Sequence, residues 1–137
     1  MCRSINLVFL GLSDSEEEIW LLLRTIRDPE YPFTLAQLRV VSPGFIRVFD
    51  KARIVSILFK PTVPHCSLST LIGLAIRVRI MNDFLVDPAW KLIVQIVPGS
   101  HELRHEINKQ LMDKERIAAA AENPHVMKIV NDCLALH

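Results

Sequence analysis

Apolar positions recur at helical spacing near the start of the chain, directly after a polar start signal. Ser13 followed by acidic residues is typical of a helix N-terminus, because a capping oxygen and negative charge both satisfy free backbone N–H groups. Pro29 sets the end of this helix near Arg27 or Asp28. The predicted apolar side comprises Ile19, Trp20, Leu22, Leu23 and Ile26. A second capping pair, Thr34 with Gln37, predicts a short helix over residues 35–38.

Strand patterns follow in the middle of the chain. Residues 45–49 and 53–59 are rich in β-branched and aromatic side chains and enclose Asp50-Lys51-Ala52, which predicts an antiparallel hairpin. The alternation of Val55, Ile57 and Phe59 is that of a half-buried strand. Residues 91–97 form a third strand pattern, which Pro98-Gly99 ends.

Helical periodicity returns after the hairpin and again in the last third of the chain. Residues 67–79 predict one helix. Asp113 can cap a segment that runs through the alanines at 118–121, and Asn123 caps another that has proline at its first position. The final helix has an uninterrupted apolar stripe of Val126, Ile129, Val130, Cys133 and Leu134.

The order helix, hairpin, helix, strand, helices predicts a small two-layer α+β domain. The sheet carries its helices on one face, and the C-terminal third is helical. With 137 residues, 50% of them hydrophobic and 7% aromatic, the chain can bury one largely aliphatic core. We expect residues 13–137 to form a single domain, preceded by a variable N-terminal tail at residues 1–12.

Charge and cysteine usage narrow the function classes. The formal charge of +1 comes without a basic stripe, which argues against direct nucleic-acid binding. The apolar run at residues 5–12 is shorter than the roughly 20 residues that span a bilayer, and it lacks a signal-peptide cleavage site. Three widely spaced cysteines are typical of reduced thiols inside the cell. We therefore expect a cytoplasmic protein without a membrane partner.

Cys66 is the main candidate for chemistry. It lies where the strand pattern changes to the helical pattern, directly after His65. The first free N–H groups of a helix and its dipole favour an anion, so a thiol there forms a thiolate more readily. The alternative is a small buried cysteine that happens to begin a helix. The residues alone leave a reactive or metal-binding thiol and a packing residue equally open.

His101-Glu102-Leu103-Arg104-His105 contains the letters of the zinc-protease motif. That motif requires both histidines within a helix, and Pro98-Gly99 just upstream leaves them at or before its first turn. A third metal ligand is also needed. A small metal-binding hydrolase that uses His101, Glu102 and His105 is therefore the alternative to a non-enzymatic function.

Other candidates have ordinary explanations beside functional ones. Cys133 lies on the apolar stripe of the last helix, where core packing is expected, and Cys2 receives no role. Asp28-Pro29-Glu30 can be a functional loop or a simple acidic turn. Asp113-Lys114-Glu115-Arg116 can be a solvated helix face or a partner-binding surface. The sequence contains no glycine-rich phosphate loop, paired-cysteine motif or serine nucleophile elbow.

Three segments together resemble the cytosolic iron–sulfur assembly component 2 family, also described as mitotic-spindle-associated MMXD subunits. The first is Arg27-Asp28-Pro29-Glu30 with Pro32 and Thr34-Leu35. The second runs over residues 59–73 and contains Pro64-His65-Cys66-Ser67-Leu68. The third includes Gly99, His101, residues 107–110, Asp113-Lys114-Glu115-Arg116 and Glu122-Asn123. The resemblance extends over about residues 22–134.

This resemblance implies a non-enzymatic adaptor that targets iron–sulfur clusters to cytosolic and nuclear apoproteins, with a link to chromosome segregation. It implies as partners a β-propeller subunit, a helical-repeat subunit and the apoprotein clients. The motif cysteine corresponds to Cys66, which favours a functional thiol, and His65 and His101 belong to the matched motifs. Cys66 and His101 are candidate metal contacts. No stably bound cofactor is implied, only a transient iron–sulfur cluster or zinc.

Several residues indicate the branch of the family or depart from the family's pattern. Arg24-Thr25-Ile26-Arg27 and Val63 favour the A-type branch, which is associated with a narrower client set that includes the iron regulatory protein. Residues 1–12 lie outside this resemblance. Phe33, Ala36 and Gln37 replace a more acidic run of the family. A homodimer formed by exchange of helices between protomers is compatible with this fold. A third possible function is that of a structural scaffold in which all three cysteines only pack in the core.

Overall fold

The computed structural model describes residues 13–61, 66–84, 87, 89–99 and 104–135, with residues 66 and 67 described by their backbone alone. The predicted tail at residues 1–12 lies outside these ranges. Within them, the helices are α1 (Asp14–Leu23), α2 (Cys66–Asp83), α3 (Arg104–Met112), α4 (Lys114–Glu122) and α5 (Pro124–Leu134). The strands are β1 (Ile46–Phe49), β2 (Ile54–Phe59) and β3 (Lys91–Ile96), and a 3₁₀ turn over Pro43–Phe45 precedes β1.

The three strands form a sheet in the order β1-β2-β3. β1 pairs with β2 in the antiparallel sense, so the predicted hairpin is confirmed. β3 pairs with β2 in parallel, and α2 makes the crossover between them. The register aligns the buried side chains in rows across one face of the sheet, namely Ile46, Ile57 and Val94 in one row and Phe59 beside Ile96 in another.

The helices cover that buried face. α1, α2 and α3 contact the sheet, α5 packs on α2, and α4 connects α3 to α5. The resulting core is mainly aliphatic, with Phe59 its largest fully buried side chain. The predicted two-layer α+β class with a helical C-terminal third is confirmed.

Helix α1 begins as predicted but ends early. The Ser13 N–H donates to Glu16 Oε1 at 3.1 Å and the Glu16 N–H donates to Ser13 Oγ at 3.2 Å, which makes a complete capping box. The helix ends at Leu23, and the prediction of an end near Arg27 or Asp28 is wrong. The cause is tertiary, because the Arg27 N–H donates to the Cys133 carbonyl at 2.8 Å instead of continuing the helix.

The second capping pair forms without the predicted helix. The Thr34 N–H donates to Gln37 Oε1 at 2.9 Å, and the Gln37 N–H donates to Thr34 Oγ1 at 3.2 Å. The segment closes a single turn, and Arg39 with φ of 59° leaves it in the left-handed region. The prediction of a helix over residues 35–38 is therefore wrong, although its capping contacts are present.

The later elements agree with their predictions within a few residues. α2 begins one residue before the predicted start and continues four residues beyond the predicted end. Asp113 caps α4, and Asn123 caps α5 with Pro124 at the first helical position. Among the described residues, no helix combines the length and apolar character needed to cross a bilayer.

Candidate functional site

Cys66 is the first residue of α2, seven positions after the end of β2. The end of β2 is held on both sides, since the Lys60 N–H donates to the Val40 carbonyl at 2.8 Å and the Val97 N–H donates to the Phe59 carbonyl at 2.9 Å. The backbone of residue 66 thus lies in the first turn of an 18-residue helix, where N–H groups lack intrahelical acceptors. This position is suited to an anion such as a thiolate. His65 and the side chain of Cys66 lie outside the described part of the chain.

Gly73 allows α2 to approach α3 closely. A Cβ atom added at Gly73 would lie 2.6 Å from Leu111 Cδ2 and 2.8 Å from Leu111 Cδ1. Thr70 Oγ1 donates to Gln110 Oε1 at 3.2 Å in the same interface. Residue 73 is two turns from Cys66, so this contact fixes the first half of α2 against α3. In the sequence, Gly73 is only the last residue of the second matched segment, and no residue near it in the chain indicates this contact.

Ser69 is a second residue of α2 whose environment the sequence does not predict. Its side chain is fully buried one turn after Cys66, and its Oγ has no hydrogen-bond partner among the residues that the structure describes. A buried hydroxyl without a partner costs about 1–3 kcal/mol. Its polar character therefore comes at a cost in stability that an alanine would avoid.

The histidine motif is described only in part. His105 lies on α3, and its Nε2 is 3.5 Å from Arg104 Nη2. His101 and Glu102 lie outside the described residues. Among residues 13–61, 66–84, 87, 89–99 and 104–135, no three His, Cys, Asp or Glu side chains form a group that could hold a metal ion. The metal-site prediction stays a prediction.

Cys133 is buried on α5, as the apolar stripe predicts, with 5% of its surface exposed. Burial raises the pKa of its thiol to about 11, and the negative charges of Asp28 and Asp132 add to the shift. This thiol stays protonated at neutral pH and is a poor nucleophile. Its expected packing role is confirmed.

The Asp28-Pro29-Glu30 segment is an ordered turn. Asp28 is buried, and its Oδ1 accepts hydrogen bonds from the N–H groups of Glu30 at 2.8 Å and Tyr31 at 3.0 Å. The Asp28 N–H donates to the Phe33 carbonyl at 2.9 Å and closes the turn. One carboxylate of the segment is therefore used internally, while Glu30 is exposed.

The charged run at residues 113–116 begins α4. Asp113 Oδ1 accepts from the N–H groups of Glu115 at 3.0 Å and Arg116 at 3.2 Å, which is an N-cap. Lys114, Glu115 and Arg116 are exposed. As in the first motif, the aspartate organises the backbone and the side chains after it face solvent.

Comparison with known proteins identifies the family. Residues 16–81 match the family model described as iron–sulfur cluster assembly protein. The MIP18 family protein galla-2 of Drosophila melanogaster is 48% identical over 120 residues, which cover 88% of this chain and 76% of the relative. Cytosolic iron–sulfur assembly component 2B of Mus musculus is 48% identical over 118 residues, 86% of this chain and 71% of the relative. A MIP18 family protein of Caenorhabditis elegans is 51% identical over 119 residues, 85% of this chain and 73% of the relative.

These matches cover the segments from which the resemblance was derived. They contain no comparison between the two animal branches, so the A-type assignment stays a prediction. The chain belongs to the MIP18 family, the family of cytosolic iron–sulfur assembly component 2.

Proposed function

We propose that this protein is a non-enzymatic adaptor in cytosolic iron–sulfur protein assembly, which helps to deliver clusters to cytosolic and nuclear apoproteins. Family membership supports this function, since the mouse and Dictyostelium discoideum relatives are named cytosolic iron–sulfur assembly component 2B. The same names support a cytosolic location. Entry into the nucleus and a link to chromosome segregation are part of the proposal.

The observation that carries the proposal is the position of Cys66 at the first turn of α2. A thiolate sulfur is a soft ligand of the kind that binds iron–sulfur clusters, and a helix N-terminus stabilises the thiolate form. We propose that Cys66 contacts the cluster or the client, with His65 beside it in sequence. The cluster is cargo in this scheme, so it is held transiently.

The exposed side chains that follow the two structural aspartates are candidate partner contacts. Glu30 follows Asp28, and Lys114, Glu115 and Arg116 follow Asp113. Since each aspartate holds the local backbone by hydrogen bonds, the positions from which these charged side chains extend are fixed. We propose these two surfaces as contacts for the β-propeller and helical-repeat subunits.

A tagged pull-down from cell extract tests the adaptor function. Wild type, Cys66→Ser and the matched control Cys2→Ser are compared by quantitative mass spectrometry. We expect all three to recover the propeller subunit, and Cys66→Ser alone to recover fewer iron–sulfur apoproteins. Equal client recovery by Cys66→Ser would refute the role of the thiol, and absence of both partners and clients from the wild-type sample would refute the adaptor function.

The hydrolase alternative makes a separate prediction. It requires stoichiometric zinc that is lost on His105→Ala, and a hydrolytic activity that follows the metal. Metal analysis of the purified protein, with His125→Ala as the control histidine substitution, decides between the two functions. Bound zinc with matching hydrolysis would replace the adaptor proposal.

A further inference from the structure

We infer that a cleft beside the C-terminal end of α1 binds an acidic segment of a partner protein, with the guanidinium groups of Arg24 and Arg27 holding its carboxylates. The cleft has a volume of about 570 Å³. We call it the arginine cleft and define it by Trp20, Arg24, Arg27, Pro32, Thr34 and Gln37. The inference rests on the proposed adaptor function for the biological partner, but its chemistry is independent of the Cys66 thiol.

The backbone that forms the cleft is held in place by hydrogen bonds. Arg27 forms an isolated antiparallel bridge with Thr34, and the Leu35 N–H donates to the Ile26 carbonyl at 2.8 Å. The Arg27 N–H donates to the Cys133 carbonyl at 2.8 Å, which fastens the same strand of chain to the end of α5. A site on a fixed backbone loses less conformational entropy on binding.

The charges in the cleft are unbalanced. Among the described residues that line it, Arg24 and Arg27 are the charged ones and none carries a carboxylate. Across the part of the chain that the structure describes, the ion pair within 4.0 Å joins Arg79 to Asp83 and involves neither cleft arginine. Two guanidinium groups in one concavity, neither of them in an ion pair among the described residues, favour carboxylate ligands, which can accept two parallel hydrogen bonds from each.

The neutral side chains of the cleft also favour an acceptor as ligand. Gln37 Oε1 and Thr34 Oγ1 already accept backbone hydrogen bonds from one another's N–H groups. The groups they retain for a ligand therefore include the Gln37 amide hydrogens and the Thr34 hydroxyl hydrogen, all of them donors. A ligand rich in acceptors, such as an acidic peptide, complements this lining.

Apolar surface beside the arginines indicates a peptide with a hydrophobic residue next to its acidic ones. Trp20 is half-buried and Pro32 is exposed, and both line the cleft. Phe33, next to Pro32, is 48% exposed, and Tyr31, on the other side of Pro32, is 38% exposed and lines a neighbouring second cleft. Large exposed aromatic side chains near a charged cleft are common where proteins bind partners.

Carboxylates beside the arginine cleft favour a short acidic peptide over a nucleic acid. A second cleft of about 390 Å³ shares Arg27 and Pro32 with the arginine cleft and is also lined by Asp28, Glu30 and Asp132. A polyanion that continued past Arg27 along the loop would meet these carboxylates, whereas a short acidic segment confined to the arginine cleft would not. The overall charge of +1 offers no compensation for a long polyanion.

The cleft is connected to the segment that leads to Cys66. The chain that carries Thr34 and Gln37 continues to Val40, whose carbonyl accepts from the Lys60 N–H at 2.8 Å. Lys60 precedes Cys66 by six residues. A partner held in the arginine cleft therefore contacts a segment that is bonded to the strand leading to the candidate thiol.

Direct binding of synthetic peptides to the purified protein tests the inference. The probes are an array of short peptides in which acidic, neutral or basic residues flank a phenylalanine or a leucine, together with a single-stranded oligonucleotide. Trp90→Phe leaves Trp20 as the remaining tryptophan, so its fluorescence reports on the cleft itself. We expect acidic peptides to bind, and Arg24→Glu and Arg27→Glu to weaken the affinity at least about tenfold each.

The controls separate the cleft from general charge. Arg47→Glu makes the same charge change at an exposed position on β1 and should leave the affinity within about twofold. Arg27→Lys should bind with intermediate affinity, since it keeps the charge but loses the bidentate geometry. Thermal unfolding checks that every variant is folded.

Three results would overturn the inference: no binding of acidic peptides, binding that Arg47→Glu weakens as much as Arg27→Glu, or tighter binding of the oligonucleotide than of any peptide. The outcome is distinguishable from failure of the adaptor function. Peptide binding without client recovery from extract would refute the adaptor alone, and client recovery without peptide binding would refute the cleft alone.

Discussion

Because Gly73 lies close to Leu111, we expect Gly73→Ala to lower the free energy of unfolding, although helix propensity alone would raise it. In an exposed helix, glycine to alanine stabilises by about 0.8–1 kcal/mol. Here the new methyl group would lie 2.6 Å from Leu111 Cδ2, far inside the roughly 3.5–4.0 Å of ordinary carbon contact. Leu111 is 1% exposed, so its side chain has little room to move away. Overpacking of this kind costs about 1–3 kcal/mol, and we expect Gly73→Ala to destabilise by about 0.5–2 kcal/mol.

Urea denaturation measures this change, and a shortened partner identifies its cause. In a Leu111→Ala background the methyl group can enter the vacated space, so Gly73→Ala should become neutral or stabilising. The resulting coupling energy should be about 1–3 kcal/mol. Gly44→Ala is the matched control, because no atom of the described residues lies within 4 Å of a Cβ built there. A Gly73→Ala variant that is more stable than wild type, with no coupling to Leu111, would refute the tight α2–α3 contact.

Three further predictions concern buried polar groups. Glu16 Oε2 accepts from the Val48 N–H at 3.0 Å in addition to the capping box, so Glu16→Ala should cost about 1–3 kcal/mol in urea denaturation, and an unchanged midpoint would contradict the contact. Arg79 Nη2 donates to the Leu134 carbonyl at 2.6 Å at the end of α5. Arg79→Ala should therefore lower the free energy of unfolding by about 1.5–3 kcal/mol. The control substitution Lys128→Ala, at an exposed position, should lower it by less than about 0.5 kcal/mol. Burial raises the pKa of Cys133 to about 11, so the thiol ionises at a lower pH in the unfolded chain than in the folded one. As pH rises from 9.0 to about 11, wild type should therefore lose more stability than Cys133→Val. Equal losses of stability in the two proteins would refute the shifted pKa.

Local signals in the sequence were sufficient for much of the fold. The hairpin, the existence of the third strand and the caps at Ser13, Asp113 and Asn123 are predictable because each depends on residues close in the chain, whereas the parallel pairing of β3 with β2 joins distant segments and was not predicted. The end of α1 was not, because Arg27 is drawn from the helix by the carbonyl of Cys133, more than one hundred residues away. The Thr34–Gln37 pair makes its capping contacts, but the backbone leaves the helical conformation at Arg39 and only one turn forms.

The candidate site was predictable only as a position in the chain. The strand-to-helix transition and the family motif both identify Cys66, and the structure begins α2 there. The contacts that fix α2 were hidden, since nothing near Gly73 in sequence indicates that Leu111 packs against it. The arginine cleft was hidden for the same reason, because it combines α1, the turn at Thr34 and the end of α5.

The most direct test of the central claim measures iron in a cytosolic iron–sulfur protein isolated from cells in which this chain is replaced by Cys66→Ser. Cells that carry Cys2→Ser at the same expression level are the control, and association with the propeller subunit is measured in parallel. An adaptor that acts through Cys66 predicts client protein depleted of iron while the propeller association is retained. Client protein with the iron content of the control would contradict the account.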